Sequence, residues 1–261
     1  MALLSRLLAG PRSEEKELLD GPLPDRRALL GNLRDLAWVN RWAGGTAVVT
    51  WALDRLLASS TRRSFRVLDV GTGGADIPVA LAEWGRRRGL ALSVDAIDLR
   101  PEVVELAQSE AASEPAVSVR CGDALALDAP DGAYDFVISS LALHHLSPSE
   151  AVAFLSRAHR AASHALIVND LRRSRTAWLG TRLIANAVFS STEAKFDGPL
   201  SVLRAYTPEE VGALAARAGL PCVEVHRRPP FRLCLIARKR GQATGTEIAS
   251  VPTGVSCRQT R

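Results

Sequence analysis

Five short apolar runs recur between residues 65 and 170, and segments with helical periodicity separate most of them. The runs are rich in β-branched residues and end in polar or glycine-containing clusters, which favours strands. They lie at 65–70, 92–98, 117–121, 134–139 and 164–170. Helices are predicted between them at 77–88, 101–112 and 147–161, whereas 122–133 lacks a helical pattern. Strands that alternate with helices in this way predict a parallel sheet with right-handed crossovers.

The order of elements changes after the fifth run. Apolar residues at helical spacing predict a helix over 174–190, and the stretch around Asp197-Gly198-Pro199 is interpreted as a loop. A capping box at 207–210 then begins a further helix, and strands are predicted at 222–228 and 231–239. The predicted fold class is α/β, with a Rossmann-like, seven-stranded, mostly parallel sheet and an antiparallel edge strand.

The predicted organisation has three parts. Residues 1–60 form an N-terminal helical extension, and 61–240 form the α/β domain with a helical cap inserted at 171–206 after the fifth strand. Residues 241–261 are rich in Gly, Ser and Thr and are predicted to be a disordered tail.

The extension and the cap can cover the carboxyl edge of the sheet, where four aromatic side chains are candidates for an apolar pocket. These are Trp38, Trp42, Trp178 and Phe189. Ordinary packing of helices onto the sheet is the alternative role for all four.

The most specific motif is V-L-D-V-G-T-G-G-A-D at residues 67–76. A strand ends in Asp69, and Gly71 and Gly73 then turn the chain into a helix. Glycine permits positive φ angles and the close approach of a ligand to the backbone. The motif is not the dinucleotide fingerprint, which requires glycine where this sequence has Asp76, and a carboxylate there would repel a pyrophosphate. An ordinary glycine-rich turn is the alternative interpretation.

Two further acidic residues follow the next strands. Asp98 closes the second strand and can accept hydrogen bonds from both hydroxyl groups of a ribose. Asp123 follows the third strand and can sit beside an adenine amino group, although either residue can also simply cap a loop. Because the carboxyl ends of parallel strands meet at one edge, these acids and the glycine turn indicate a nucleotide-like ligand at that edge.

The motifs D69-x-G-x-G, I97-D98, G122-D123-A124 and Y-D-F-V-I-S-S at 134–140 stand in the order found in class I methyltransferases. Residues 64–170 resemble that family, and the resemblance implies S-adenosyl-L-methionine as cofactor. It places Asp69, Gly71 and Gly73 around the methionine part, Asp98 at the ribose, and Asp123 with Ala124 at the adenine. The full implied cofactor set is Asp69, Gly71, Thr72, Gly73, Asp76, Asp98, Leu99, Asp123, Ala124 and Ser140.

Finer resemblances point to a subgroup. The L-H-H-L run at 143–146 and the G-D-A step resemble the ubiquinone/menaquinone C-methyltransferase-like branch. The segments 40–45 and 197–207 resemble a bacterial group of small-molecule, natural-product methyltransferases. The chain departs from many family members at Ala75, where they have glycine, and we expect tighter packing there without loss of binding.

His144 and His145 stand together after the fourth strand, at the same edge of the sheet. A base is useful when the methyl acceptor is a phenol or an acidic carbon, because the acceptor must lose a proton. Imidazole has the unperturbed pKa that best suits this task near neutral pH. We therefore predict that at least one of these residues is catalytic or positions the acceptor; one packed and one solvated histidine is the structural alternative.

Composition limits the partners. The net charge is +5, but the arginines are scattered and form no stripe interleaved with aromatic residues, so no nucleic-acid partner is predicted. The sequence contains no apolar stretch of about 18 residues, so no membrane span is predicted and a cytoplasmic location is expected. Four cysteines without a CxxC pair, and without histidine at zinc-ligand spacing, predict no metal site. A homodimer is left open.

The predicted function is S-adenosylmethionine-dependent methyl transfer to a small, fairly apolar acceptor, at a phenolic oxygen or an activated carbon. A nicotinamide-dependent oxidoreductase is one alternative, disfavoured by Asp76 and by the lack of a Y-x-x-x-K pair. A methyltransferase that acts on protein or RNA is another, disfavoured because S-S-L-A, and no N-P-P-Y-like motif, follows the fourth strand. A catalytically silent cofactor-binding scaffold is the third.

Overall fold

The computed structural model describes residues 10–21 and 26–240. The predicted tail at 241–261 and the first nine residues of the predicted N-terminal extension lie outside the described residues. Of the described helices, none is long and apolar enough to cross a membrane.

Seven strands form one sheet in the order β3-β2-β1-β4-β5-β7-β6. Their bounds are β1 Ser64–Val70, β2 Ala91–Asp98, β3 Val117–Cys121, β4 Tyr134–Ser140, β5 Ala162–Leu171, β6 Val223–Arg228 and β7 Arg232–Arg238. Strands β1 to β5 pair in parallel, and β7 is antiparallel to both β5 and β6. The predicted Rossmann-like sheet with an antiparallel edge is therefore confirmed, and β7 lies one position in from the outermost strand.

Eight α-helices surround the sheet in the described parts of the chain. They are α1 Arg26–Trp42, α2 Gly45–Leu57, α3 Asp76–Arg87, α4 Pro101–Ala111, α5 Pro148–Ala161, α6 Arg175–Val188, α7 Thr192–Arg204 and α8 Pro208–Arg217. Short 3₁₀ turns occur at Leu18–Asp20 and Leu143–His145. The domain boundaries at 60 and 240 stay predictions.

Each face of the sheet has its own core. On one face, buried side chains of α5 and α8, such as Phe154 and Val211, pack against β4 and β5. On the other face, Leu53 of α2 and Leu81 of α3 pack against Val67 of β1. Because both faces are covered, the strands are apolar along most of their length, which is why they were visible as continuous runs in the sequence.

The predicted loop around Asp197-Gly198-Pro199 is wrong, because these residues lie inside α7. Turn-forming residues suggested a break, but two tertiary contacts stabilise the helix. Asp35 of α1 accepts hydrogen bonds from the backbone amides of Ser190 and Ser191 at its N-terminus. The inner face of α7, which includes Asp197, is buried. Burial of one face therefore outweighs poor local propensity.

Candidate active site

The glycine turn follows β1 and enters α3. Gly71 and Gly73 have φ angles of 74° and 55°, and a Cβ atom on Gly71 would lie 2.9 Å from the Cβ of Ala142. Ala75 also has a positive φ, of 60°, although it is fully buried at the start of α3. The backbone of this turn is therefore held in a conformation that favours glycine at three positions, and the chain tolerates alanine at the third.

Asp98 ties the end of β2 to the glycine turn. Its carboxylate accepts hydrogen bonds from the amides of Gly73, at 2.9 Å, and Arg100, at 3.2 Å. In register, Asp98 of β2 is aligned with Cys121 of β3, so Asp123 follows at the same edge of the sheet. We call this region, the carboxyl ends of β1, β2 and β3 with the glycine turn, the glycine edge.

Asp69 lies beneath the glycine turn and is 2% exposed. Its Oδ1 atom has no hydrogen-bond partner among the described residues, and neither does Oγ1 of the buried Thr72. Burial, together with the nearby carboxylates of Asp76 and Asp98, raises the pKa of Asp69 to about 7. A buried acceptor atom without a donor, at the carboxyl edge of the sheet, fits the ammonium group of an amino acid moiety.

The other predicted cofactor residues lie at the same edge of the sheet but differ in exposure and in hydrogen-bond partners. Asp76 begins α3 and is held by the side-chain amide of Asn40, at 3.4 Å. Leu99 is 66% exposed, as an apolar surface for a stacked ring would be. Asp123 is exposed and accepts a hydrogen bond from the amide of Leu125, while Ser140 ends β4. Ala124 follows Asp123 and packs against the core.

A cavity of about 150 Å³ lies beside the glycine edge, between α1, α6, α7 and the carboxyl ends of β4 and β5. Most of its wall is apolar: Leu19, Leu36, Val39, Ala43, Leu141, Leu171, Ile184, Phe189, Ala194, Pro230 and Phe231. We call it the central cavity. Leu36 joins the two regions, because it lines the cavity and also lies 3.7 Å from the position of a Cβ on Gly73.

The histidine pair lies in the wall of the central cavity. His144 is buried, and its Nδ1 lies 2.7 Å from Oδ1 of Asp170, whose Oδ2 also accepts the backbone amide of His144. Although burial opposes it, the His144 ring holds the pKa of Asp170 below its usual value. Asp170 therefore accepts the Nδ1 proton and orients the ring so that Nε2 is left with a lone pair.

His145 repeats this arrangement closer to the surface. Its Nδ1 lies 2.7 Å from Oδ1 of Asp20, and its ring is 4.2 Å from that of His144, centroid to centroid. Against the effect of burial, contacts with His145 and Arg204 hold the pKa of Asp20 below its usual value. Each imidazole thus has a carboxylate on Nδ1.

Glu17 completes the polar wall of the cavity. It is 4% exposed, and burial raises its pKa to about 7, although His145 and Arg204 act in the opposite direction. The segment that carries it is anchored on α7, because Asp197 accepts hydrogen bonds from the amides of Leu18 and Leu19. Glu17 is therefore held at the cavity by contacts between residues 178 and 179 positions apart.

Arg232, at the start of β7, is the least exposed charged residue in the cavity wall, at 1%. Its guanidinium donates to the carbonyl of Ala43 and to Oδ1 of Asn40, and Nη1 has no partner among the described residues. Burial lowers its pKa to about 10, so it stays charged at neutral pH.

The aromatic candidates from the sequence separate in the structure. Phe189 lines the central cavity, but Trp38, Trp42 and Trp178 do not, so the pocket role suggested for the three tryptophans is wrong. Trp42 is 67% exposed. Phe231, which the sequence argument missed, lies in the wall instead.

Sequence reasoning also missed Glu17, Asp170 and Arg232. Asp170 gives the same signal as Asp98, an acid at the carboxyl end of a parallel strand, and could have been found in that way. Glu17 gives no local signal, because only a contact with distant residues brings it to the site.

Residues 67–164 match the family model described as "Methyltransferase domain". The fold is similar to a S-adenosylmethionine-dependent methyltransferase from Aquifex aeolicus, at 22% identity and TM-score 0.53, over 72% of this chain and 88% of that one.

Two further solved structures are larger than this chain. It is similar to human N-acetylserotonin methyltransferase, at 19% identity and TM-score 0.60, over 82% of this chain but 56% of that one. It is also similar to an O-methyltransferase family 2 protein from Planctomyces limnophilus in complex with apigenin, at 18% identity and TM-score 0.60, over 83% of this chain and 62% of that one. Residues 67–164 are therefore similar in sequence to methyltransferase domains, and the fold is similar to that of the S-adenosylmethionine-dependent methyltransferase from Aquifex aeolicus.

Proposed function

We propose that this chain methylates a small, fairly apolar acceptor, at a phenolic oxygen or an activated carbon, with S-adenosyl-L-methionine. The observation that carries the proposal is the apolar central cavity, with two carboxylate-oriented imidazoles in its wall, directly beside the glycine edge. A cavity of about 150 Å³ is of the size that accommodates a single aromatic ring.

The residues of the glycine edge fit the cofactor. The unpartnered Oδ1 of Asp69 suits the ammonium group, and the carboxylate of Asp98 suits the ribose hydroxyls. Exposed Leu99 and the turn at Asp123 and Ala124 suit the adenine, with Gly71, Thr72, Gly73, Asp76 and Ser140 completing the set. When bound, the cofactor supplies an electrophilic methyl group, and the chain contributes alignment and the exclusion of water.

His144 and His145 are proposed as the catalytic residues. Both rings line the cavity, so the Nε2 lone pair of a neutral ring can take the proton of an acceptor bound there, while Asp170 stabilises the imidazolium that forms at His144. Burial and the orienting carboxylate favour His144 as the base, and His145, at the rim, as the residue that positions the acceptor.

A small-molecule acceptor agrees with two of the similar proteins, human N-acetylserotonin methyltransferase and the O-methyltransferase family 2 protein in complex with apigenin. The L-H-H-L run and the G-D-A step support the ubiquinone/menaquinone C-methyltransferase-like branch, and the segments 40–45 and 197–207 support the bacterial natural-product subgroup. A cytoplasmic location and the lack of a nucleic-acid partner stay predictions, and a homodimer stays open.

The test is incubation with methyl-labelled cofactor and a panel of phenols, quinones and β-dicarbonyl compounds, read by mass spectrometry of the products. We expect at least one single-ring acceptor to give a product in which one hydrogen has been replaced by the labelled methyl group. The proposal fails if the chain binds the cofactor but labels only protein or RNA added to the same assay.

A further inference from the structure

The two imidazole rings and Glu17 direct their remaining ligand atoms at one another. Nε2 of His144 lies 3.6 Å from Oε1 of Glu17, and Nε2 of His145 lies 3.9 Å from Oε2 of the same carboxylate. Both distances are too long for hydrogen bonds. The three ligand atoms, one from each residue, lie within 4.8 Å of one another.

This spacing is close to that of a metal centre. Zinc ligands lie about 2.0–2.2 Å from the ion, so tetrahedral neighbours are about 3.4 Å apart, and inward movements of about 1 Å would close the site. The second ring nitrogens add a stronger signature. Nδ1 of each histidine contacts a carboxylate, Asp170 or Asp20, at 2.7 Å. A carboxylate on the far nitrogen is the usual support of a metal-ligating histidine, because it fixes the tautomer and raises the basicity of the other nitrogen.

Glu17 provides an independent observation. Its side chain is 3% exposed, and Oε1 has no hydrogen-bond partner among the described residues although it points into the cluster. A buried carboxylate oxygen without a donor costs free energy unless a cation or a donor satisfies it.

We propose that Nε2 of His144, Nε2 of His145 and the carboxylate of Glu17 bind one divalent first-row transition metal ion, such as Zn²⁺, in the wall of the central cavity. Two imidazoles and one carboxylate form the donor set of a catalytic zinc site, which leaves a coordination position open. Here the open position faces the cavity, because all three residues line it.

Charges of both signs surround the cluster. Glu17, Asp20 and Asp170 contribute three carboxyl groups, Arg204 contacts Glu17 and Asp20, Arg232 acts on Asp170, and Arg12 donates to the carbonyl of His144. Imidazole ligands favour zinc, copper, nickel and iron, whereas Mg²⁺ and Ca²⁺ prefer sites made of oxygen atoms. The site is therefore expected to discriminate against the hard cations.

Occupation by the ion would change how the acceptor is activated. It takes both Nε2 lone pairs, so neither histidine can then act as a base. A phenolic acceptor whose oxygen fills the open position would instead lose its proton to solvent, because coordination lowers the pKa of the bound oxygen. The metal site stands on its own geometry and does not depend on the proposed base.

The experiment is a calorimetric titration of ZnCl₂ into metal-stripped, untagged full-length chain, repeated with CoCl₂ under an absorption spectrometer. Glu17→Gln and His145→Gln each remove one ligand, and Asp20→Asn removes one supporting carboxylate. His226→Gln is the matched control, because His226 and Glu224 form a histidine–carboxylate contact at 2.9 Å on β6, outside the cavity wall. No acceptor or cofactor is present, so the result is independent of methyl transfer.

We expect one Zn²⁺ per chain, affinity weaker by at least about 100-fold in both ligand variants and by about 10- to 100-fold in Asp20→Asn. The control should match the parent chain, and MgCl₂ should give no saturation. The proposal is overturned by the lack of stoichiometric binding, by binding unchanged in His145→Gln, or by Co²⁺ bands of thiolate ligation. If Glu17→Gln does not fold, His145→Gln decides alone, because that side chain is 32% exposed and its loss is tolerable.

Discussion

The glycine edge and the central cavity lie side by side, but they are built in opposite ways. The glycine edge consists of successive strand–turn–helix segments, in which Gly73 and Asp98, 25 positions apart, hydrogen-bond to each other and Gly71 donates to the carbonyl of Ile97. The central cavity brings together Glu17, His144 and α7, through contacts between residues more than 100 positions apart.

This difference separates what a domain of this kind must keep from what it can change. The glycine edge is the proposed cofactor site and depends on backbone geometry, which tolerates few substitutions. The cavity depends on side chains from added segments, so its shape and polar groups can vary without disturbing the sheet. Variants in one region should therefore leave the other nearly unchanged.

The largest effect is expected for His144→Gln. General-base assistance contributes about 10²–10⁴-fold in rate, so kcat should fall by that factor in the metal-free chain. Affinity for S-adenosylhomocysteine should stay within about threefold, because the glycine edge does not contact the histidine pair. Steady-state kinetics and calorimetry measure the two quantities, with His226→Gln as control. A matching loss of cofactor affinity would show that the two regions are not separable.

The second effect is a pH dependence of cofactor binding. Burial raises the pKa of Asp69 to about 7, so below that pH the free protein holds this carboxyl protonated. A ligand ammonium prefers the ionised form, so affinity for S-adenosylhomocysteine should rise by up to tenfold per pH unit from about pH 5 to about pH 7, and then level off. Asp69→Asn should remove this slope, and a slope that persists in the variant would assign it to another group.

The raised pKa of Asp69 also affects the stability of the free protein. An acid whose pKa is raised in the folded state binds more protons there than in the unfolded chain, whose aspartate pKa is about 3.9. The contribution of Asp69 to the free energy of unfolding should therefore decline as pH rises from about 4 to about 7.

A smaller effect is expected in the wall of the cavity. Ile184 of α6 lines it, and truncation to alanine should raise the acceptor KM about 10-fold, because losing apolar contact costs about 1–3 kcal/mol. Trp178→Ala on the same helix is the control, because that side chain does not line the cavity and packs beside Arg182. Equal changes in KM in the two variants would contradict the assignment of Ile184, and not Trp178, to the cavity wall.

The smallest effect is expected for Ala75→Gly. Glycine would relieve the positive φ of 60°, a gain of about 1 kcal/mol, but it would also remove a buried methyl group worth about 0.8 kcal/mol. The two effects oppose each other, so both the midpoint of urea unfolding and the cofactor Kd should change little. A large gain in cofactor affinity would show that Ala75 distorts the glycine edge.

The sequence was most informative where structure is local. The strand pattern predicted all seven strands of the sheet, because period and burial of a strand are encoded in consecutive residues. It failed at α7, where Asp197, Gly198 and Pro199 suggest a turn but burial against α1 and the N-terminal segment maintains a helix. It failed likewise at Glu17, whose place in the site depends on residues from the other end of the chain.

The most direct test of the whole account is a parallel calorimetric titration of S-adenosylhomocysteine into the parent chain and Asp98→Ala. Charge-assisted hydrogen bonds are worth about 1.5–3 kcal/mol, so we expect one site in the parent and an affinity about 10- to 100-fold weaker in the variant. NAD should not bind either protein. Unchanged affinity in Asp98→Ala would contradict the assignment of the glycine edge as the cofactor site, and with it the proposed direction of methyl transfer into the central cavity.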